Sequence, residues 1–451
     1  MIAAPLGSGD QKAPEFRPPA AMREIADTLE ARGFQAWAVG GAVRDELLGN
    51  HRADWDIATD ARPDDVRRVF RRTVPIGIEH GTVGVLASDG EMYEVTTFRR
   101  DIETDGRHAV VEFSDHIEED LGRRDFTINA LAWRPATDEM VDPFAGQGDM
   151  EASVLRAVGE PGERFAEDYL RVLRGLRFAG RFGLTIDPET EAAMRASVAA
   201  TSGLSAERVR EELVKVLADD TPSTALRLYA DFALAPIWYP ELEAAVADPR
   251  FELELAAVDA IPARRSLLRL ARLLAAAGIG ETGRAAAVSV LERLRFSRQD
   301  TQTVADLVEH LATPVSPTDS DAQIRGWLAE VGAKRARDLF RLHFATARAR
   351  GADEQVRFAC AAWRRVHDAL ATAPPLRLSD LAVSGDDLIE LGVQQGPSVG
   401  ILLDELHALV LENPEDNRRD ALLEQARELI RIGSLGGAAP GPSDEESLPD
   451  G

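Results

Sequence analysis

The pattern of apolar and polar residues changes near residue 150. Before that point, short apolar runs such as residues 35–39 and residues 92–98 are separated by turn residues, which is typical of β-strands. After it, apolar residues recur with helical spacing almost throughout, in segments rich in alanine and leucine. The pattern predicts an α+β fold in which a part containing a sheet is followed by an all-α part.

A glycine pair, Gly40 and Gly41, follows the predicted strand of residues 35–39. Because glycine has no side chain, backbone N–H groups in such a turn can approach phosphate oxygens. Arg44 lies one turn into the next helical segment and can add charge to the same anion. A glycine pair after a strand is usually only a turn, but its place in a strand, turn, helix, strand pattern favours a triphosphate site.

Two aspartates, Asp54 and Asp56, follow shortly after the glycines, in a run that alternates polar and apolar residues. In a half-buried strand, this alternation points both carboxylates to one face, and Trp55 and Ile57 to the other. Two neighbouring carboxylates are suitable ligands for Mg²⁺ when substrate phosphates complete its coordination shell. A pair with this spacing also occurs by chance in acidic chains, so the order of the motifs carries the prediction.

A third carboxylate, Glu94, lies inside the strand-like run of residues 92–98. Residues 80–86 and the turn at residues 88–90 predict the other arm of a hairpin. Two interpretations of Glu94 stay open. It joins the aspartates in holding metal that activates an attacking hydroxyl and stabilises the leaving pyrophosphate, or it is a solvated residue on an edge strand.

Residues 163–178 have a helical pattern that brings Asp168 and Arg171, three positions apart, to one side. A carboxylate accepts from an exocyclic amine while a guanidinium donates to the adjacent ring nitrogen, and cytosine and adenine both present this combination. Such a pair would accept CTP and ATP and reject UTP and GTP, with Arg174 and Arg177 reaching phosphates. The alternative is an ordinary surface ion pair on an arginine-rich helix.

Together these motifs resemble those of the class II tRNA nucleotidyltransferases, the CCA-adding enzyme group that includes bacterial poly(A) polymerases. The resemblance implies a mixed-sheet nucleotidyltransferase head with helices, followed by an all-α neck, body and tail. The matching stretches occur in family order at residues 39–45, 54–59, 80–83, 93–99, 118–130, 142–144, 167–177 and 207–213.

The resemblance also implies a site and a reaction. Asp54 and Asp56 match the magnesium-binding catalytic pair, with Glu94 in support. The reaction is transfer of CMP and AMP from CTP and ATP to the 3′ end of tRNA, with poly(A) synthesis, addition of A alone, or RNA binding without catalysis as alternatives. The residues implied to contact the nucleotide are Gly40, Gly41, Arg44, Arg124, Asp125 (at the ribose), Asp168, Arg171, Arg174 and Arg177.

The same resemblance implies four folded parts. The proline-rich start of the chain, and an end rich in glycine, proline, serine and acidic residues, predict a disordered tail on each side. The tail domain is expected to contact tRNA, and assembly as a homodimer stays open. The expected boundaries are 1–20 for the N-terminal disordered tail, 21–150 for the head, 151–220 for the neck, 221–375 for the body, 376–432 for the tail domain and 433–451 for the C-terminal disordered tail.

Composition limits the cellular setting and complicates the choice of partner. The chain of 451 residues has one cysteine, which fits a reducing cytoplasm, and no apolar run of membrane-spanning length. Its net charge of -25 opposes binding to RNA phosphates. Local arginine clusters predict modest tRNA affinity with strong salt dependence, and they lie at residues 67–68, 71–72, 99–100, 123–124 and 164–181.

Overall fold

The computed structural model describes residues 16–50, 54–104 and 109–432. Contacts divide these residues into two compact units, each described by itself. The first unit contains the described residues up to Leu255, with Pro262–Arg269 and Val288–Thr301. The second unit contains Ala256–Ile261, Leu270–Ala287 and the described residues from Gln302 onward.

A mixed seven-stranded sheet lies in the first unit, with the strand order β3-β4-β5-β2-β1-β8-β9. Strands β6 and β7 form a separate hairpin, and β10 pairs with β11 in parallel. The described strands are β1 (Ala36–Val39), β2 (Asp56–Thr59), β3 (Thr73–Gly77), β4 (Thr82–Leu86), β5 (Met92–Thr97), β6 (Arg99–Thr104), β7 (Ala109–Phe113), β8 (Ala132–Arg134), β9 (Glu139–Val141), β10 (Val154–Leu155) and β11 (Thr185–Ile186).

From residue 161 onward, the described chain is helical apart from β11 and loops, so the predicted α+β fold is confirmed. No helix of the described ranges is both long and apolar enough to cross a bilayer. The α-helices are α1 (Ala20–Glu30), α2 (Gly41–Leu47), α3 (Pro63–Val69), α4 (Ile117–Gly122), α5 (Gly146–Glu151), α6 (Pro161–Glu167), α7 (Leu170–Phe182), α8 (Pro188–Ser197), α9 (Ala206–Ala218), α10 (Pro222–Asp231), α11 (Ala235–Trp238), α12 (Glu243–Val246), α13 (Phe251–Asp259), α14 (Ser266–Leu274), α15 (Gly280–Arg293), α16 (Arg298–His310), α17 (Asp321–Val331), α18 (Ala333–Ala349), α19 (Asp353–Ala371), α20 (Gly385–Glu390), α21 (Pro397–Glu412) and α22 (Arg419–Arg431).

The centre of the sheet places two of the predicted carboxylates on neighbouring strands. Strands β2 and β5 pair in parallel, with Ile57 opposite Val95, and both of these side chains are fully buried. Asp56 and Glu94 each come one residue before this pair, so they start from adjacent positions. Because β5 also pairs with β4, Glu94 lies on an interior strand and its predicted edge position is wrong, whereas the predicted exposure to solvent is confirmed.

The expectation of a disordered tail is wrong for its last residues. Phe16 is 6% exposed, and it belongs to the core cluster formed by α1 and the sheet. The proline-rich composition around Phe16 predicted a disordered segment. One aromatic side chain can nevertheless bury a large apolar area when the folded core has room to pack it. The remainder of that predicted tail, and the whole C-terminal one, lie outside the described residues.

The predicted continuous helix at residues 163–178 is broken at Asp168. Helix α6 ends at Glu167, Asp168 has an extended backbone (φ -157°, ψ 103°), and α7 begins at Leu170. The cause is local, since the Asp168 carboxylate accepts the backbone N–H of Leu170 at 3.0 Å. Aspartate competes in this way with helical hydrogen bonding. Asp168 and Arg171 therefore do not lie on one uninterrupted helix.

The predicted division into head, neck, body and tail domain stays a prediction, because contacts distinguish only the two units. A local core is nevertheless present in the region predicted as the tail domain. It consists of buried leucine, valine and alanine side chains between Leu381 and Ala426, which come from α20, α21, α22 and their connections.

Candidate active site

Three predicted carboxylates line one pocket on the first unit, with a volume of about 600 Å³. Asp56 begins β2, Asp54 lies just before that strand, and Glu94 is on β5. The side chains that alternate with the aspartates, Trp55 and Ile57, are buried in the core, as the sequence pattern predicted. The fold thus brings together the carboxylates that the motifs selected, although their catalytic roles stay predictions.

The pKa of Asp56 is raised to about 6. The largest cause is the loss of surrounding water, and the charges of Glu94 and Asp54 raise the pKa further, while Arg124 opposes the shift. The pocket therefore concentrates negative charge that a bound cation would neutralise.

The residues present fit a magnesium ion whose coordination shell is completed by oxygens of a substrate. Within the described residues, no group of three or more His, Cys, Asp or Glu side chains is arranged as a complete metal site. Mg²⁺ does not require one, because it is commonly held by one or two carboxylates while phosphate oxygens and waters fill the remaining positions. Asp54 and Asp56 would supply the carboxylates of such an open site, and their role as metal ligands stays a prediction.

Without metal, we expect Asp56→Asn to be more stable than the natural sequence at neutral pH. The folded-state pKa of Asp56 lies above its ordinary value of 3.8, so the folded protein loses stability as the pH rises from about 4 to about 6. The full shift corresponds to about 3 kcal/mol. Although the pocket around Asp56 displaces some water, the residue as a whole is exposed, and solvent screening reduces the effect to about 1 kcal/mol. Denaturant unfolding in EDTA measures the difference in the free energy of unfolding between the variant and the natural sequence. A gain in stability that is the same at every pH would contradict an origin in the raised pKa of Asp56.

The turn after β1 requires glycine at position 40. Gly40 has a φ of +68°, which favours glycine, and the Arg124 guanidinium occupies the space that a Cβ at this position would take. Arg124 also pairs with Asp120 at 3.1 Å. Among the described residues, its Nε is buried without a hydrogen-bond partner. A buried donor of this kind beside a glycine turn is suited to an incoming acceptor such as a nucleotide oxygen.

Arg44 on α2 is buried, and its contacts are internal. Its guanidinium donates to Asp45 at 2.9 Å and to the side-chain oxygen of Asn129, and it lies over the rings of Phe178 and Phe182. These contacts join the helix after the glycine turn to α7. Direct contact between Arg44 and a triphosphate stays a prediction.

Asp125 is held by a buried network centred on its carboxylate. The carboxylate accepts from Arg174 at 2.7 Å, from Asn129 at 2.9 Å and from the backbone N–H of Phe126 at 2.9 Å. Burial alone would raise the pKa of Asp125, but the charge of Arg174 and the hydrogen bond from Asn129 outweigh it and lower the pKa to about 2. Asp125 is therefore ionised, and this network positions Arg174.

The predicted base-reading residues bind other partners instead of each other. The Asp168 carboxylate accepts from Arg208 on α9 at 2.6 Å. Arg171 donates to Glu167 at 2.6 Å and to the backbone oxygen of Arg123 at 3.0 Å. The alternative of an ordinary ion pair between Asp168 and Arg171 is therefore wrong for this structure, and the two side chains are oriented independently.

Arg177 joins two helices inside the first unit. It pairs with Glu212 on α9 at 2.7 Å, and both side chains are buried. Lys215 donates to the other Glu212 oxygen at 2.9 Å, so each oxygen of this carboxylate has a cationic partner. The structure places Arg177 in a supporting position between α7 and α9, and its contact with a nucleotide stays a prediction.

Known family models match most of the chain in succession. A model of the poly A polymerase head domain matches residues 36–156. A model of an RNA and SrmB-binding site of polymerase A matches residues 183–246, and a model of tRNA nucleotidyltransferase domain 2 matches residues 273–426.

Curated relatives are similar over nearly their whole length. The CCA-adding enzyme of Levilactobacillus brevis is 34% identical over 405 residues, which are 89% of this chain and 96% of that protein. The chain belongs to the CCA-adding enzyme family. The CCA-adding enzyme of Lactiplantibacillus plantarum is 35% identical over 412 residues, 90% of this chain and 95% of that protein. The family predicted from the motifs is confirmed.

Solved CCA-adding enzymes share the fold. The Bacillus stearothermophilus CCA-adding enzyme in complex with CTP has a TM-score of 0.75 and 31% identity, and the match covers 94% of this chain and 100% of that one. The Thermotoga maritima CCA-adding enzyme complexed with tRNA has a TM-score of 0.55 at 20% identity over 91% of this chain, which supports the fold alone.

In this member of the CCA-adding enzyme family, sequence reasoning overlooked the residues that hold the predicted ones. Asn129 links Arg44 to Asp125, and Arg208 holds Asp168. Both lie inside motif stretches that resemble the CCA-adding enzymes, at residues 118–130 and 207–213. Their position in those motifs was the only signal available. Arg208 has Glu211 and Glu212 within one helical turn in sequence, yet it binds Asp168, which is 40 positions away.

Proposed function

We propose that the protein adds CMP and AMP from CTP and ATP to the 3′ end of tRNA, building or repairing the CCA terminus with release of pyrophosphate. The observation that carries this proposal is the likeness to CCA-adding enzymes over 89% of this chain. The pocket formed by Asp54, Asp56 and Glu94 supports a catalytic role over RNA binding alone.

The proposed chemistry relies on position and charge rather than on a covalent intermediate. Asp54 and Asp56 would hold Mg²⁺, which when bound supplies a Lewis acid that neutralises triphosphate charge and promotes attack by the terminal hydroxyl on the α-phosphate. Glu94 adds negative charge beside the pair. The turn at Gly40 and Gly41, with the Arg124 guanidinium against it, receives the nucleotide.

Selection of the base is assigned to Asp168 and Arg171. A carboxylate has about four acceptor positions, and on Asp168 the backbone N–H of Leu170 occupies one and the Arg208 guanidinium another. Asp168 therefore keeps capacity to accept from an exocyclic amine. On their Watson–Crick edges, cytosine and adenine offer an amine beside a ring acceptor, whereas uracil and guanine offer a carbonyl beside a ring N–H donor.

Charge favours helix α18 over the predicted tail domain as a tRNA contact in the second unit. Residues 376–432 contain twelve acidic and five basic residues, which repels phosphates. Helix α18 contains five basic residues and one acidic residue. Lys334, Arg337 and Arg348 are exposed and recur at helical spacing on one side. They span about 21 Å at 1.5 Å per residue.

We expect the double variant Arg337→Glu, Arg348→Glu to weaken tRNA binding at least tenfold at about 0.15 M salt, because it reverses two charges on this face. The slope of log affinity against log salt should fall by about 2. Filter binding and the KM for tRNA measure both effects. The matched control, Arg418→Glu with Arg427→Glu, changes two exposed arginines of the acidic region. If only this control loses affinity, the tail domain is the contact and α18 is not.

The decisive experiment is incorporation of labelled CTP and ATP, separately and together, into tRNA that ends before CCA. Products are resolved to one nucleotide in the presence of Mg²⁺. Two C and one A followed by arrest would establish CCA addition. Long tails with ATP alone would indicate a poly(A) polymerase, a single A would indicate an A-adding enzyme, and tRNA binding without incorporation would indicate an RNA-binding protein.

We place this activity in the cytoplasm, because the substrates are tRNA and nucleoside triphosphates and the single cysteine fits a reducing compartment. Assembly as a homodimer stays a prediction, and analytical ultracentrifugation tests it.

A further inference from the structure

The segment before α1 packs against the centre of the first unit through one aromatic side chain. Phe16 is 6% exposed, and its ring stacks on Trp133 of β8, with ring centroids 4.6 Å apart and planes 18° apart. Trp133 is 2% exposed, and the Arg23 guanidinium lies over its ring at 5.4 Å. Phe16 and Arg23 thus hold the Trp133 ring within the core.

Trp133 in turn contacts the tryptophan that lies between the two predicted metal ligands. Its ring meets Trp55 edge to face, with centroids 6.2 Å apart and planes at 61°. Trp55 is 5% exposed and belongs to the same core cluster as Phe16 and Trp133. Three rings therefore form a continuous row from Phe16 to the backbone between Asp54 and Asp56.

This row matters because Asp54 is not part of a strand. The sheet pairing of β2 begins at Asp56, so the ladder does not hold Asp54. The neighbouring Trp55 is anchored by its ring instead. The position of the Asp54 carboxylate relative to Asp56 consequently depends on how tightly the Trp55 ring is packed in the core.

The same N-terminal segment also contributes to the pocket itself. Pro19, three residues after Phe16 and directly before α1, lines the pocket together with Asp54, Asp56 and Glu94. Anchoring Phe16 therefore fixes one wall of the pocket as well as the support for Trp55.

We propose that Phe16 is a positioning residue for the predicted metal-binding pair. Through Trp133 and Trp55, Phe16 holds the Asp54 carboxylate in position relative to that of Asp56. This inference rests on the proposed function. Metal and transition-state binding require ligand positions held within about 0.5 Å, and stacked aromatic rings provide large, rigid contacts. Removing the Phe16 ring leaves space beside Trp133, so both tryptophans can shift.

The test compares Phe16→Leu and Phe16→Ala with the matched control Phe358→Ala, since Phe358 is an exposed phenylalanine of the second unit. Mn²⁺ binding is followed by the electron paramagnetic resonance signal of the free ion, and binding that persists in Asp54→Ala is subtracted. We expect Phe16→Leu to weaken Asp54-dependent Mn²⁺ binding at least fivefold and to lower kcat about tenfold. The KM for CTP should stay within twofold, and Phe358→Ala should match the natural sequence.

Folding is measured in the same variants by thermal unfolding. Phe16→Leu keeps an apolar side chain, so it decides the outcome if Phe16→Ala does not fold. A Phe16→Leu protein with a lower Tm, but with Mn²⁺ affinity and kcat within twofold of the natural sequence, would show that Phe16 only packs the core. Natural protein whose Mn²⁺ binding does not depend on Asp54 would overturn the inference too.

The two proposals fail in different ways. If the natural protein does not incorporate CMP or AMP but Phe16→Leu still weakens Asp54-dependent Mn²⁺ binding, the proposed function is wrong and the positioning role stands. If incorporation occurs and Phe16→Leu changes neither Mn²⁺ binding nor kcat, the positioning role is wrong and the function stands.

Discussion

Asp56→Asn will lower the rate of CMP and AMP incorporation about a thousandfold while tRNA binding stays within twofold. The substitution keeps the shape of the side chain and removes the charge that Mg²⁺ requires. Metal assistance contributes several kcal/mol of transition-state stabilisation, and about 4 kcal/mol corresponds to a thousandfold. Single-turnover incorporation at saturating tRNA measures the rate of the chemical step.

The matched control for this result is Asp64→Asn, which removes an exposed carboxylate on α3 outside the pocket. It should leave incorporation unchanged. Asp54→Ala should reproduce the loss seen with Asp56→Asn, because both residues line the same pocket. Equal activity of either aspartate variant and the natural sequence would remove the catalytic assignment.

Asp168→Ala will abolish most of the preference for CTP and ATP over UTP and GTP. We expect kcat/KM for CTP and ATP to fall about 100-fold, because a hydrogen bond to a charged group contributes about 1.5–3 kcal/mol. The values for UTP and GTP should change less than threefold, since they gain nothing from this carboxylate. Competition between labelled nucleotides on one tRNA measures the ratio directly.

Asp168→Asn separates base reading from local structure. Its side-chain oxygen can still accept the N–H of Leu170, which the Asp168 carboxylate does at 3.0 Å, so the break between α6 and α7 should persist. Its amide donates where the carboxylate accepted, so UTP should gain relative to CTP. An unchanged nucleotide preference in both variants would mean that Asp168 holds α7 and Arg208 without reading the base.

Several features of the site were predictable because they depend on short spacings. The alternation at residues 54–57 placed Trp55 and Ile57 in the core and left both aspartates exposed, since the period of a strand is two residues. The turn at Gly40 followed from the preceding strand and the conformational freedom of glycine. The hairpin of β4 and β5 followed from two apolar runs around a turn.

The sequence by itself therefore determined the family, the α+β class and the local geometry of the motifs. The tertiary structure decided which partner each charged or aromatic side chain takes: Arg208 for Asp168, Glu212 for Arg177 and Trp133 for Phe16. The physical reason is that backbone periods fix which way a side chain points over a few residues. Partners far apart in sequence meet only after helices and strands pack, and burial then selects the pairs that satisfy charge and fill space.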